Sequence, residues 1–266
     1  MRKPLILNPN KLEDSVRIKQ IKNNGAKIVD SFKESINELF QIQNPSQHSS
    51  KILLEEFTKY HKQKQFANWI YYPWNNNLVR ILSEPLFTEL RTARNRDLVT
   101  KDEQKIFYNS TIGIVGLSVG NSVAASIVYG GGAKRMKLAD FDRLSISNLN
   151  RIRTSLINFG MKKTEIISRE IYEINPYSEL EIFGDGLSLK VLNDFFIGKN
   201  PLDIIIDEMD NLYLKVQLRI LAKKLKVPVV MATDNGDNVV VDIERYDLDP
   251  KRRIFNTDIP EKELYS

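Results

Sequence analysis

The sequence predicts an α/β protein, with a mostly parallel sheet covered by helices on both faces and a mainly helical N-terminal region before it. Three observations carry this expectation. From residue 111 onward, short apolar runs alternate with stretches of helical periodicity, the pattern of strands whose two faces are both covered. A glycine-containing turn, Gly116-Leu117-Ser118-Val119-Gly120, joins the first of those runs to the first helical stretch. Before residue 100 the apolar positions recur at helical spacing instead. The expected division is therefore an N-terminal region over 1–100 and an α/β domain over 101–266.

The elements follow in order. Residues 11–62 read as helical, because Ile28, Phe32, Ile36 and Leu39 recur at helical spacing, as do Leu53, Phe57 and Tyr60. The polar stretch 43–50, with Pro45, separates the two runs. Trp69, Tyr71, Tyr72 and Trp74 crowd around Pro73, and rings at this density are expected to pack one part of the chain against its neighbour rather than line a ligand groove. Strands are expected at 111–117, 134–139, 180–183, 202–206, 227–232 and 239–246. Helices are expected at 122–129, 163–174 and 212–225, the second closed by Asn175-Pro176.

Composition narrows the function. A chain of 266 residues, 42% hydrophobic, can build one α/β domain and a smaller companion. It has no cysteine, which excludes disulfides, thiolate metal sites and a cysteine nucleophile together and fits a reducing cytoplasm. No run of about 18 apolar residues offers a membrane span. The net charge of +5 belongs to residues 1–65, which hold 12 Lys and Arg against 7 Asp and Glu; the rest is balanced at 27 of each. Those basic residues are interleaved with acids and apolar positions, so they read as solvated helix faces, with no nucleic-acid partner expected.

Three chemistries use a strand–glycine turn–helix junction. The letters Gly116-Leu117-Ser118-Val119-Gly120 match a hydrolase nucleophile elbow, but that mechanism needs a later histidine, and His48 and His61 both precede Ser118. A dinucleotide site would use Asp140 as its ribose acid, yet the glycine pattern is too loose to argue for it. An adenylating nucleotide site fits what comes next: Asp140-Phe141-Asp142, Ser147-Asn148-Leu149-Asn150-Arg151, Lys163, and Asp207-Glu208-Met209-Asp210-Asn211. Most of these stand at strand ends and the loops after them, where parallel sheets bind ligands. Carboxylates can hold ribose hydroxyls and Mg²⁺, while Asn, Arg and Lys can hold phosphate oxygens.

Taken as a set, these blocks resemble the ThiF/MoeB/HesA family of the ubiquitin-activating-enzyme superfamily, with its strand–glycine turn, D-x-D, S-N-L-x-R, lysine, and D-x-x-D-N. The resemblance runs from about Arg94 to about Val230. It implies a Rossmann-like fold, an ATP- and Mg²⁺-dependent adenylyltransferase, and a carboxylate acceptor at the end of a small ubiquitin-like or sulfur-carrier protein or a peptide. Residue by residue, it implies that Asp140 meets the ribose, with Asp142 beside it. Asn148 and Arg151 would hold the triphosphate, Lys163 would stabilise charge at the α-phosphorus, and Asp210 would carry Mg²⁺. Gly116 and Gly120 would let the backbone approach the nucleotide. Arg94 or Arg96 would reach the phosphates across a homodimer. Two departures stand out. The turn carries Ser118, Val119 and Asn121 where smaller residues are usual, and Ile152 replaces a glutamine. They keep open a degenerate relative that binds nucleotide without turnover, beside an NAD-dependent oxidoreductase. In some bacterial proteins that resemble this one, a segment like 242–247 leads into a nitroreductase-like domain, which is not expected within these 266 residues.

Overall fold

The computed structural model describes residues 2–63, 66–260 and 263–264. The chain forms two compact units, Met1–Lys101 and Asp102–Ser266.

The N-terminal unit runs β1 (Leu5–Leu7), α1 (Leu12–Asn23), β2 (Lys27–Asp30), α2 (Phe32–Gln43), α3 (Lys51–Gln63), β3 (Ala67–Tyr72), β4 (Asn77–Leu82) and α4 (Glu84–Arg91). Its helices pack on a four-stranded sheet of order β1-β3-β4-β2, in which β2 lies parallel to β4 and the other pairs are antiparallel. Phe32, Ile36 and Leu39 form the buried stripe of α2 and meet Ala67 and Leu82 of the sheet. Ile28 departs from the helical reading of residues 11–62. It stands in β2 opposite Leu78 and is half exposed. Gly25, with φ of +78°, turns the chain out of α1, and a four-residue strand is too short for its spacing to exclude a helix. The aromatic run supplies β3, where Trp69 and Tyr72 are buried; Trp69 packs among Leu7, Ile18, Ala26 and Leu78 of this same unit.

The second unit opens within α5 (Lys101–Asn109), at its second residue, and continues β5 (Thr111–Val115), α6 (Gly120–Tyr129), β6 (Arg135–Ala139), α7 (Lys163–Ile174) and β7 (Glu179–Phe183). It is completed by α8 (Leu189–Ile197), β8 (Ile204–Asp207), α9 (Leu212–Leu225), β9 (Val229–Asn235) and β10 (Asn238–Glu244). The six-stranded sheet has the order β10-β9-β8-β5-β6-β7, all parallel except the last hairpin, β9–β10. From β5 the chain first winds outward through β6 to β7, then returns to the other side of β5 through β8. Right-handed crossovers in opposite directions put helices on opposite faces, α6 and α7 on one and α8 and α9 on the other. The α8–α9 face is a core of Leu192, Phe195, Phe196, Leu218 and Ala222 against Val115, Ala139, Ile205 and Val229. The reversal between β5 and β8 is the topological switch point, where a parallel sheet opens a crevice at the carboxyl ends of its strands. No described helix is long and apolar enough to cross a membrane.

Candidate functional site

The crevice is built first by backbone geometry. Gly116 leaves β5 with φ of +82°, and a Cβ there would lie 2.3 Å from the Glu208 carbonyl oxygen. Only glycine lets the β5 turn and the β8 loop come this close. Gly120 opens α6 so tightly against β5 that a Cβ would sit 2.9 Å from Ile114 Cγ2. The first turn of α6 has no side-chain cap from Val119, and the Ser122 N–H donates to the Val119 carbonyl at 3.0 Å. Asn121, in that same turn, is buried with neither amide atom hydrogen-bonded.

Asp140, the residue after β6, braces the turn. One carboxylate oxygen accepts from the Leu117 N–H and the other from the Asp142 N–H, each at 2.6 Å. Each oxygen keeps a lone pair beyond these bonds. Asp142 then faces Lys163, the first residue of α7. Lys163 Nζ donates to Asp142 Oδ2 at 2.6 Å and to Ser118 Oγ at 3.0 Å. The lysine side chain is 4% exposed and its carboxylate partner 48%. A buried cation therefore sits beside a half-solvated carboxylate, over the glycine turn. The β6–α7 loop makes this meeting possible by folding back on itself: Arg143 bridges Lys162, and the Lys163 N–H donates to the Asp142 carbonyl at 3.0 Å.

The other candidates are placed differently. Asn148 is buried in that loop, where its Oδ1 accepts from the Ser145 N–H in a reciprocal cap of the short turn Ile146–Asn148. Arg151 is exposed and donates to the Ser147 carbonyl at 3.2 Å and to Asn150 Oδ1 at 3.0 Å. Neither is hydrogen-bonded to the Lys163 group. Ile152, where the family favours glutamine, is an apolar anchor buried with Leu144 and Ile166. Asp210 is exposed in the loop after β8, two residues beyond the Glu208 backbone that abuts Gly116. Arg94 and Arg96 belong to the N-terminal unit; Arg94 is exposed and Arg96 pairs with Glu89 at 3.2 Å. Among the described residues no three His, Cys, Asp or Glu are grouped as a metal cage.

Two features were not anticipated from the sequence. Glu208 lines the switch point, accepting from the Ala232 N–H at 3.1 Å, and burial pushes its carboxyl pKa above the usual range. Arg219 is fully buried on the inward stripe of α9, bonded to Asp207 and Glu244. Its sequence signal was its position midway between Val216 and Ala222, both buried: an arginine in a core stripe demands carboxylate partners.

The family model for ThiF matches residues 92–246, more than half of the chain. The chain belongs to the ThiF family. It is 39% identical over 193 residues to an uncharacterized protein of Mycobacterium tuberculosis, covering 73% of this chain but 26% of that protein. It is 26% identical over 172 residues to the tRNA threonylcarbamoyladenosine dehydratase of Bacillus subtilis, covering 62% of this chain and 67% of that enzyme. The chain thus spans about a quarter of the mycobacterial relative and about two thirds of the Bacillus one. Among solved structures, the fold is similar to E. coli TcdA, a tRNA N6-threonylcarbamoyladenosine dehydratase, in complex with ATP. That likeness has a TM-score of 0.53 at 22% identity, over 60% of this chain and 65% of that one. The ThiF match covers the glycine turn, both strand-end acids and Lys163, and so confirms the family expected from those blocks.

Proposed function

We propose that this ThiF-family chain binds ATP with Mg²⁺ at the β5–β6 rim and adenylates a carboxylate, releasing pyrophosphate. The acceptor is the C-terminus of a small ubiquitin-like or sulfur-carrier protein, or of a peptide. The observation that carries this reading is the Lys163–Ser118–Asp142 group over the glycine turn. In this reading an acceptor oxygen bonds to the α-phosphorus while the bond from that phosphorus to the β-bridging oxygen breaks, and the electron pair leaves with pyrophosphate. Little proton transfer is needed, so positioning and charge stabilisation dominate. Lys163, held within reach of Ser118, is placed to exchange Asp142 for a phosphate oxygen. The lone pairs that Asp140 retains suit ribose hydroxyls, and the uncapped first turn of α6 suits an anion.

The residues also fit Mg²⁺, which takes one or two carboxylates and completes its shell with phosphates and water. Asp210, exposed beside the switch point, is the ligand in this reading; bound Mg²⁺ would neutralise phosphate charge. Asn148 and Arg151 would hold the triphosphate, which requires the Arg151 side chain to leave the Ser147 carbonyl. A homodimer would bring Arg94 or Arg96 of one copy to the phosphates of the other, and a cytoplasmic setting supplies ATP. A relative of TcdA and of molybdopterin-synthase adenylyltransferase, which is 28% identical to this chain over 141 residues, is a reasonable host for this chemistry.

The test is pyrophosphate exchange into ATP with candidate acceptors, beside titration of ATP and NAD. Exchange is expected with one acceptor, and Arg151→Ala and Asp210→Ala should abolish it with the fold intact. ATP binding without exchange for any acceptor would favour a non-catalytic nucleotide binder. NAD binding without ATP binding would favour an oxidoreductase.

A further inference from the structure

A buried ionic network on the side of the sheet opposite Lys163 ends at the last residue of β8. Arg219 Nη1 donates to Asp207 Oδ2 at 2.5 Å, and Arg219 Nε donates to Glu244 Oε2 at 2.6 Å. The three side chains are 0–1% exposed. Glu244 Oε1 accepts from the Tyr246 hydroxyl at 2.9 Å and from the Phe255 N–H at 2.7 Å. The Phe255 ring lies over the Arg219 guanidinium, 4.2 Å from its carbon to the ring centroid. Phe255 and the residue after it, Asn256, both have positive φ, 54° and 51°, which side chains other than glycine rarely adopt. The segment after β10 is thus held back on α9 in a conformation its own backbone disfavours, by bonds to Glu244 and stacking on Arg219.

Asp207 links this network to the crevice. Its other oxygen, Oδ1, accepts from the Met209 N–H at 3.3 Å, inside the loop that carries Glu208, Asp210 and Asn211. The Glu208 N–H in turn donates to the Val115 carbonyl, one residue before the glycine turn. The Arg219 guanidinium bonds Asp207, Glu244 and the Lys215 carbonyl rather than loop 208–211, yet it fixes the carboxylate that the loop hangs from. Lys215 also reaches Asp207 Oδ2, at 3.5 Å, but from a side chain that is 15% exposed.

We infer that Arg219 is a positioning residue: through Asp207 it sets the conformation of loop 208–211, and the segment 246–256 locks it by closing Glu244 and Phe255 over it. This rests on the adenylation reading for its catalytic consequence, because loop 208–211 there presents Asp210 to the triphosphate. Its structural half is independent of that reading.

Two variants test it. Arg219→Lys keeps a buried cation but cannot bond both carboxylates in the same fork geometry. Phe255→Ala removes only the ring, leaving the N–H bond to Glu244, and guards against a fold failure in the first. Amide hydrogen exchange on the nucleotide-free chain is expected to speed up at Glu208 and Met209, the bonded amides of the loop, by at least about tenfold in each folded variant. Amides of β5 and β6 should stay as in the wild type. In the exchange assay the KM for ATP should rise at least about fivefold with a smaller change in kcat. Wild-type protection at Glu208 and Met209 in a folded Arg219→Lys or Phe255→Ala chain would overturn the inference. Loss of that protection in a chain whose wild type shows no pyrophosphate exchange would uphold it and remove the adenylation reading instead.

Discussion

Two buried cations of the second unit, Arg219 and Lys163, are paired with carboxylates in opposite ways. Around Arg219, both carboxylates are as buried as the guanidinium, and every partner is another protein group. Around Lys163 the cation is buried but Asp142 is half open to water. Desolvating an ion pair completely makes each member dependent on the other, since losing one leaves the other charged in a poor solvent. Leaving one partner hydrated makes the pair cheap to break, and the cation becomes available to an incoming anion. In the proposed reading the sealed pair belongs to architecture and the half-open one to ligand exchange.

This contrast is breakable by substitution. The largest expected effect is Arg219→Met, which strands Asp207 and Glu244 in the core and should cost about 3–5 kcal/mol. A urea melt of that variant would show it, and a loss below about 1 kcal/mol would dissolve the distinction. Lys163→Met should instead spare the fold, because Asp142 remains hydrated. Its effect belongs to the reaction, with pyrophosphate exchange falling at least about a hundredfold, equal to roughly 2.7 kcal/mol of lost charge stabilisation. Gly116→Ala comes next: it forces a side chain into φ of +82° and against the Glu208 carbonyl. A loss of roughly 1–3 kcal/mol is expected, together with weaker ATP binding.

Glu208 sharpens the comparison at the smallest scale. It follows Asp207 and abuts the glycine turn, and burial raises its pKa, so the folded chain holds that proton more tightly than the unfolded chain does. The contribution to stability is complete below the unfolded pKa and is lost as pH climbs from there through the raised folded value. Glu208→Gln should remove that decline, so thermal melts across pH would run flatter in the variant and higher at neutral pH. Parallel pH profiles for the two chains would show that Glu208 is not responsible.

Much of the second unit was legible because its strands are short apolar runs between turn residues. The helices of 163–174 and 212–225 were read to their exact ends, since Asn175-Pro176 stops one and the apolar spacing defines the other. Strand ends were looser: β8 continues to Asp207 because a buried arginine neutralises it, and β10 stops at Glu244, so Tyr246 lies beyond it. The N-terminal sheet was less visible. Its strands are three to six residues long, and Ile28 shares an i, i+4 interval with the helix that follows. Gly116, Asp140 and Lys163 were named from their order along the chain, but the Lys163–Asp142 contact was not. It depends on a twenty-residue loop closing at the Arg143–Lys162 bridge, which no periodicity encodes. Ser118, read as a departure in the turn, proves to be the second acceptor for Lys163.

The most direct measurement is calorimetric titration of Mg²⁺–ATP into the wild-type chain and into Lys163→Met. A rim in which Lys163 trades Asp142 for phosphate predicts saturable binding to the wild type, at least about tenfold weaker in the variant, with unchanged melting. Equal affinity in the two chains, or heat with NAD and none with ATP, would contradict it.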